Sequence, residues 1–165
     1  MIFVGIDPGI TGAVAVIRGD GSYDVYDTPT YKDGTKRIYA KTKMAEMLLD
    51  ILHEPGAWPF FQIVLEQVHA MPSDGKVSAF TFGRGVGIWE GIVAATACIE
   101  PHCIPPQVWQ KKVLPVGGNY PTGKELNRMV AQELFPNAPL SRVRDHNRAD
   151  ALLLAEYGRR THTTP

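Results

Sequence analysis

Apolar positions divide the chain into short runs separated by glycine, proline and charge. Ile2-Phe3-Val4-Gly5-Ile6 is continuous and ends on Asp7. That is the pattern of a strand covered on both faces. Pro8-Gly9 turns the chain, and a second apolar run fills residues 12–18. Gly19-Asp20-Gly21 marks a tight turn, which predicts an antiparallel third strand over 22–27. Phe61 to Leu65 repeats the first pattern and ends on Glu66, and His102 to Ile104 reads as a further short strand.

The intervening segments read as loop and helix. Residues 28–41 are polar, basic and without period, the pattern of a mobile loop. Thr42 stands as the N-cap of a helix over 43–52, closed by His53-Glu54-Pro55-Gly56. A long helical pattern over 77–98 carries Gly83, Gly87 and Gly91 at a spacing of four. Each glycine costs a helix about 1 kcal/mol relative to alanine. Three on one face imply that another backbone approaches there. Pro105-Pro106 opens a brief helix with Trp109 and Lys111, and Thr122 caps a helix over 123–134. The last helix runs over 145–157 to a stop at Gly158, leaving 161–165 as a disordered tail. This order predicts one α/β domain over 1–160. Its mixed five-stranded sheet has three antiparallel strands, then strands parallel to the first, with helices on both faces.

Composition narrows the setting. At 44% hydrophobic the chain can fill a core. No apolar run approaches the roughly 20 residues that span a bilayer, and the first residues lack the basic-then-apolar order of a secretory signal. No membrane partner is expected. Cys98 and Cys103 are too few for a disulfide framework or a cysteine-rich zinc site. The expected setting is a reduced cytoplasm, in a bacterium or a phage-infected cell, or else an organelle. The formal net charge of zero does not advertise nucleic acid, but the distribution of charge is suggestive. Lys32, Lys36, Arg37, Lys41 and Lys43 crowd one segment, Lys111 and Lys112 are adjacent, and Arg142, Arg144 and Arg148 flank the start of the last helix. Local patches bind phosphate even when total charge cancels, although solvated loops explain the same pattern equally well.

Asp7 and Glu66 carry the candidate chemistry. If their strands are parallel neighbours, the two carboxylates meet over the core and repel unless a cation lies between them. Hard oxygen ligands suit Mg²⁺ or Mn²⁺. The last helix adds Asp150, with His146 one turn earlier on the same face and Asp145 nearer the helix start. The set fits phosphodiester hydrolysis with two ions about 4 Å apart, and Gly9 and Gly12 leave room for a phosphate backbone. Each piece also has a plainer reading. Asp-Pro-Gly is a common turn, an early-helix acid favours the dipole, and a lone histidine commonly sits on the surface. An actin-like or sugar-kinase ATPase begins with the same strand, acid and glycine turn, but needs two such domains.

Five segments add a resemblance: "GIDPG" at 5–9, "VLEQV" at 64–68, "FGRGVGIWEGI" at 82–92, "PQVW" at 106–109 and "NRADALLLAEYG" at 147–158. With them the chain resembles RuvC-type Holliday-junction resolvases of the ribonuclease H-like superfamily, in the phage and chloroplast branch. The resemblance implies a homodimer that cuts opposed strands of four-way junction DNA with Mg²⁺ or Mn²⁺, two ions per site. It implies Asp7, Glu66 and Asp150 as metal ligands. The bacterial pattern puts the fourth ligand at Asn147, and the phage and chloroplast pattern at His146 or Asp145. Helical spacing favours His146, with Asp145 next. The family lysine at the cleaved phosphate falls on Lys111, Lys112 or Lys124; Gln110 stands directly after Trp109, where relatives often carry lysine. Met71, Lys76, Phe80, Phe82 and Arg148 complete the expected DNA contacts. Phe80 or Phe82 would stack on an unpaired base, though core burial explains them equally. The dimer is expected to form along the 77–98 helix. The alternatives are a related nuclease cutting flaps or RNA–DNA hybrids, and a junction-binding protein without catalysis.

Overall fold

A computed structural model describes residues 1–67, 75–115, 117 and 120–162. In chain order the elements are β1 (Ile2–Asp7), β2 (Ala13–Arg18), β3 (Tyr23–Asp27), β4 (Thr30–Asp33), β5 (Lys36–Tyr39), α1 (Lys41–Leu52) and β6 (Phe61–Glu66). They continue with α2 (Lys76–Ala97), β7 (His102–Ile104), α3 (Pro106–Val113), α4 (Lys124–Leu134), a 3-10 turn (Val143–Asp145) and α5 (His146–Thr161). The main sheet has the order β3-β2-β1-β6-β7. β1, β2 and β3 form an antiparallel meander, and β6 and β7 run parallel to β1. This is the mixed sheet that the apolar runs predict.

Strand alternation divides the core into two layers. Ile2, Val4 and Ile6 of β1 join Ile63 and Leu65 of β6 beneath α1 and α2. On the other face Ala13, Ala15 and Val64 pack against α3, α4 and α5. Fully burying a side chain such as Ile6 or Leu65 contributes about 1.5–3 kcal/mol. With β1 covered on both faces, Asp7 stands on a rigid strand.

Several boundaries differ from the sequence reading. Most of the segment 28–41 is not a mobile loop: β4 and β5 pair as an antiparallel hairpin, Thr30 opposite Tyr39. The side chains from Tyr31 to Arg37 are all exposed, so no apolar period betrays it. The buried Tyr39 anchors its base by donating a hydrogen bond to the Pro8 carbonyl at 3.2 Å. Helix α1 begins at Lys41 after Ala40, so Thr42 lies inside the first turn rather than capping it. Gly123, not Thr122, precedes α4, at φ +64°. Helix α5 runs through Gly158 to Thr161; the tail residues 163–165 and Met71 lie outside the described residues. The buried stripe of α2 is Gly85, Trp89, Val93 and Ala97. Gly83, Gly87 and Gly91 are exposed, and a Cβ there would meet nothing within 4 Å. No backbone of the described chain approaches them.

Candidate active site

The register of β1 and β6 assembles the site. Ile6 pairs with Leu65, so the next residues, Asp7 and Glu66, end neighbouring parallel strands side by side. Ile6 and Leu65 point into the α1–α2 layer, so alternation turns both carboxylates to the α5 face. Helix α5 lies directly on β1 because Gly5 has no side chain: a Cβ there would overlap the Ala151 carbonyl. Asp150, one residue earlier, thereby reaches the same place. Asp7, Glu66 and Asp150 line one cleft of about 380 Å³.

Each carboxylate is oriented by a neutral donor. The Gly9 N–H donates to Asp7 Oδ1 at 3.1 Å. The Trp109 indole donates to Glu66 Oε1 at 3.0 Å. The Asn127 amide donates to Asp150 Oδ1 at 2.7 Å. None of the three has a salt-bridge partner among the described residues. Burial pushes Asp7 up to about 6, against the Gly9 hydrogen bond, and repulsion from Asp150 adds to it. Burial, then repulsion from Asp7, pushes Glu66 up to about 7. Burial pushes Asp150 up to about 6, opposed by the Asn127 hydrogen bond. Three partly protonated acids on one cleft are a site short of positive charge.

His146, Asn147, Lys124, Gln110 and Phe82 also line the cleft. His146 Nδ1 lies 3.1 Å from the Val143 carbonyl. A carbonyl only accepts, so Nδ1 carries a proton, and the tautomer that fits this contact has its lone pair on Nε2. The Asn147 amide is engaged with Thr11, 3.1 Å from its hydroxyl. Asp145 does not line this cleft, but the wall of a neighbouring one, its carboxylate gripped by Arg142 Nη2 at 2.7 Å. Lys111 and Lys112 are exposed on the last turn of α3, outside the cleft lining, which leaves Lys124 as its lysine. Arg148 is committed to Asp27, with Nε–Oδ1 and Nη2–Oδ2 distances of 2.6 and 2.7 Å. Phe80 is exposed on the outer side of α2, and Lys76 begins that helix. Asn127 and Trp109 have site roles that the sequence alone does not assign. Their signal was a polar side chain on a buried helix stripe: Asn127 lies in line with Val130 and Ala131.

A divalent metal fits the donor chemistry of this cleft. Each acid keeps one carboxylate oxygen outside its orienting hydrogen bond, and Nε2 of His146 is free to ligate. Among the described residues no three metal-ligating side chains close around one ion position, so binding an ion requires them to draw inward.

No family model matches the chain, and no curated protein matches it. Among solved structures it is similar to T. thermophilus RuvC in complex with Holliday junction substrate, with a TM-score of 0.64 and 19% identity over 96% of this chain and 93% of that one. The fold is RuvC-like. At that identity the likeness is one of fold, and it spans the sheet and the helices on both its faces. Within the RuvC-like frame the cleft lies at the carboxyl ends of the parallel strands β1 and β6, under the start of α5.

Proposed function

We propose that the chain is a metal-dependent endonuclease that resolves four-way DNA junctions. One observation carries this: three carboxylates, Asp7 buried and Glu66 and Asp150 half-buried, line one cleft of a RuvC-like sheet with no salt bridge among the described residues. Asp7, Glu66, Asp150 and His146 would hold Mg²⁺ or Mn²⁺. Bound ions supply the activation of water and the charge relief at the leaving oxygen that phosphodiester hydrolysis needs. Trp109 and Asn127 each hold one oxygen of their acid, leaving the other to turn toward a metal. Lys124 places a positive charge where an incoming phosphate would lie, and it already lowers the proton affinity of all three acids. Ligation by His146 rather than Asn147 would follow the phage and chloroplast pattern. The side chains of Phe82, in the cleft wall, and Phe80, farther out, are suited to stacking on bases.

Paired cleavage asks for two such sites. A twofold dimer matches the symmetry of a junction, and the exposed row of Gly83, Gly87 and Gly91 lets two α2 helices approach closely. Gly87→Leu should then give monomers, read by sedimentation. Because a Cβ at Gly87 meets nothing within 4 Å among the described residues and the position is exposed, the variant should keep its fold. The function itself is tested with labelled four-way junctions, flaps, RNA–DNA hybrids and linear duplexes, with Mg²⁺ or Mn²⁺. Preferential, symmetric cutting of the junction supports the proposal. Equal cutting of flaps or hybrids makes the chain a different nuclease, and binding without cutting makes it a junction-binding protein.

A further inference from the structure

A second cleft, of about 500 Å³, adjoins the first, with Thr11 in the wall of both. Its lining includes Thr28, Arg37, Arg142, Arg144, Asp27 and Asp145. Charge bookkeeping leaves it cationic. Arg142 is neutralised by Asp145, and Asp27 by Arg148. Arg37 and Arg144 are exposed and pair with no acid among the described residues. Two uncompensated guanidiniums therefore face one concavity beside the carboxylate cleft.

Two further observations suit this place to an anion. Thr28 is 5% exposed, and its buried hydroxyl has no hydrogen-bond partner. A buried hydroxyl without an acceptor costs stability, unless a ligand supplies one. The second is rigidity. Arg37 stands two residues before Tyr39 on the same face of β5, and Tyr39 is tied to Pro8, the residue after Asp7. The Thr28 N–H is held in turn by the Gly12 carbonyl at 2.9 Å. The cationic wall and the carboxylate cluster are thus fixed to one turn of backbone, Asp7 to Gly12.

We infer that this cleft is a phosphodiester-binding subsite, in which Arg37, Arg144 and the Thr28 hydroxyl hold the backbone of the strand that crosses the carboxylate cleft. The inference rests on the nuclease reading and deepens it by naming what the β4–β5 hairpin is for. Guanidiniums match phosphate in fork geometry. A contact to phosphate positions a strand without reading its sequence. The subsite would therefore fix the strand's path at the acids and act on any base sequence.

The test measures binding of a fluorescent four-way junction and a linear duplex by anisotropy, in metal-free buffer from 50 to 200 mM salt, beside cleavage of the same junction with Mg²⁺. In the double variant Arg37→Ala/Arg144→Ala the slope of log affinity against log salt should become shallower by about 1 to 2, one for each phosphate that is no longer neutralised. Affinity should fall about tenfold or more, for the junction and the linear duplex alike. The Arg37→Lys/Arg144→Lys variant should keep the slope. Thr28→Val should weaken binding about fivefold, the effect of one hydrogen bond, without lowering the melting temperature, because it removes an unpaired hydroxyl. An unchanged salt slope and affinity in the double alanine variant would overturn the subsite, as would a loss of affinity with the slope intact. A wild-type chain that binds junction with the expected slope but never cuts DNA would sink the nuclease reading and leave the subsite standing.

Discussion

Asp145 and Asp150 stand close together at the start of α5, yet their surroundings are opposite. Asp145 is buried and takes hydrogen bonds from the Arg142 side chain and from its backbone N–H. Burial would raise its proton affinity, but Arg142 outweighs that and holds it below the usual carboxylate range. Asp27, paired with Arg148, is also held low. So is Glu156, which is buried but held by Arg159 and Arg160. Asp150, like Asp7 and Glu66, has only a neutral donor and is pushed up. The buried Asp145 and Glu156 each have an arginine, so three cleft acids with none among the described residues mark a place that a cation completes. Acidity of the residue type does not distinguish the groups; the partner does.

The largest expected effect compares the two groups directly. Asp7→Asn, Glu66→Gln and Asp150→Asn should each lower metal-dependent junction cleavage by more than about 100-fold, since charge stabilisation by the metal is worth several kcal/mol. Asp145→Asn should keep most of the activity. A cleavage assay in which Asp145→Asn is as dead as Asp7→Asn would erase the distinction.

The orienting donors come next. Asn127→Ala and Trp109→Phe should lower metal affinity or cleavage by about 10- to 100-fold, with the fold intact by circular dichroism. His146→Ala should fall in the same range. Asn147→Ala should cost less, because its amide serves Thr11. The reverse order in single-turnover rates would return the fourth ligand to Asn147.

Stability should differ in sign as well as size. Asp7, Glu66 and Asp150 have folded-state proton affinities above their unfolded values. The folded chain therefore binds more protons than the unfolded chain between about pH 4 and 7. Metal-free stability should fall as pH rises through that window, and metal should restore it above pH 7. Asp150→Asn should melt higher than the wild type at pH 8 without metal. Asp145→Asn should melt lower, by about 2 kcal/mol for the loss of charged hydrogen bonds. Thermal melts at pH 5 and pH 8, with and without Mg²⁺, read both signs; a higher metal-free melting temperature at pH 8 would mean that the three acids are not raised by folding.

Much of this arrangement is legible in the sequence. The continuous apolar runs ending on Asp7 and Glu66 show the strands and their terminal acids, because a strand covered on both faces has no other place for a charge. The spacing from His146 to Asp150 puts both on the cleft side of α5. What escapes depends on partners distant in sequence. Nothing local to Asp145 says that Arg142 neutralises it, or that Asp27 occupies Arg148. The β4–β5 hairpin escapes because neither of its faces is buried along its length, although Asp33-Gly34 is a hairpin turn signal. The α2 glycines mislead for a related reason. A four-residue spacing shows that they share a face, but not that the face is open to solvent.

The arginine-free acids should form a cation site and the arginine-paired acids should not. Calorimetric titration of the metal-free protein with Mn²⁺ near pH 6.5, in buffers of different ionisation enthalpy, tests it most directly. Mn²⁺ should bind the wild type with release of protons from the raised carboxyls. Binding should be lost in Asp7→Asn and kept in Asp145→Asn. Equal Mn²⁺ binding by all three proteins, or none by the wild type, would contradict it.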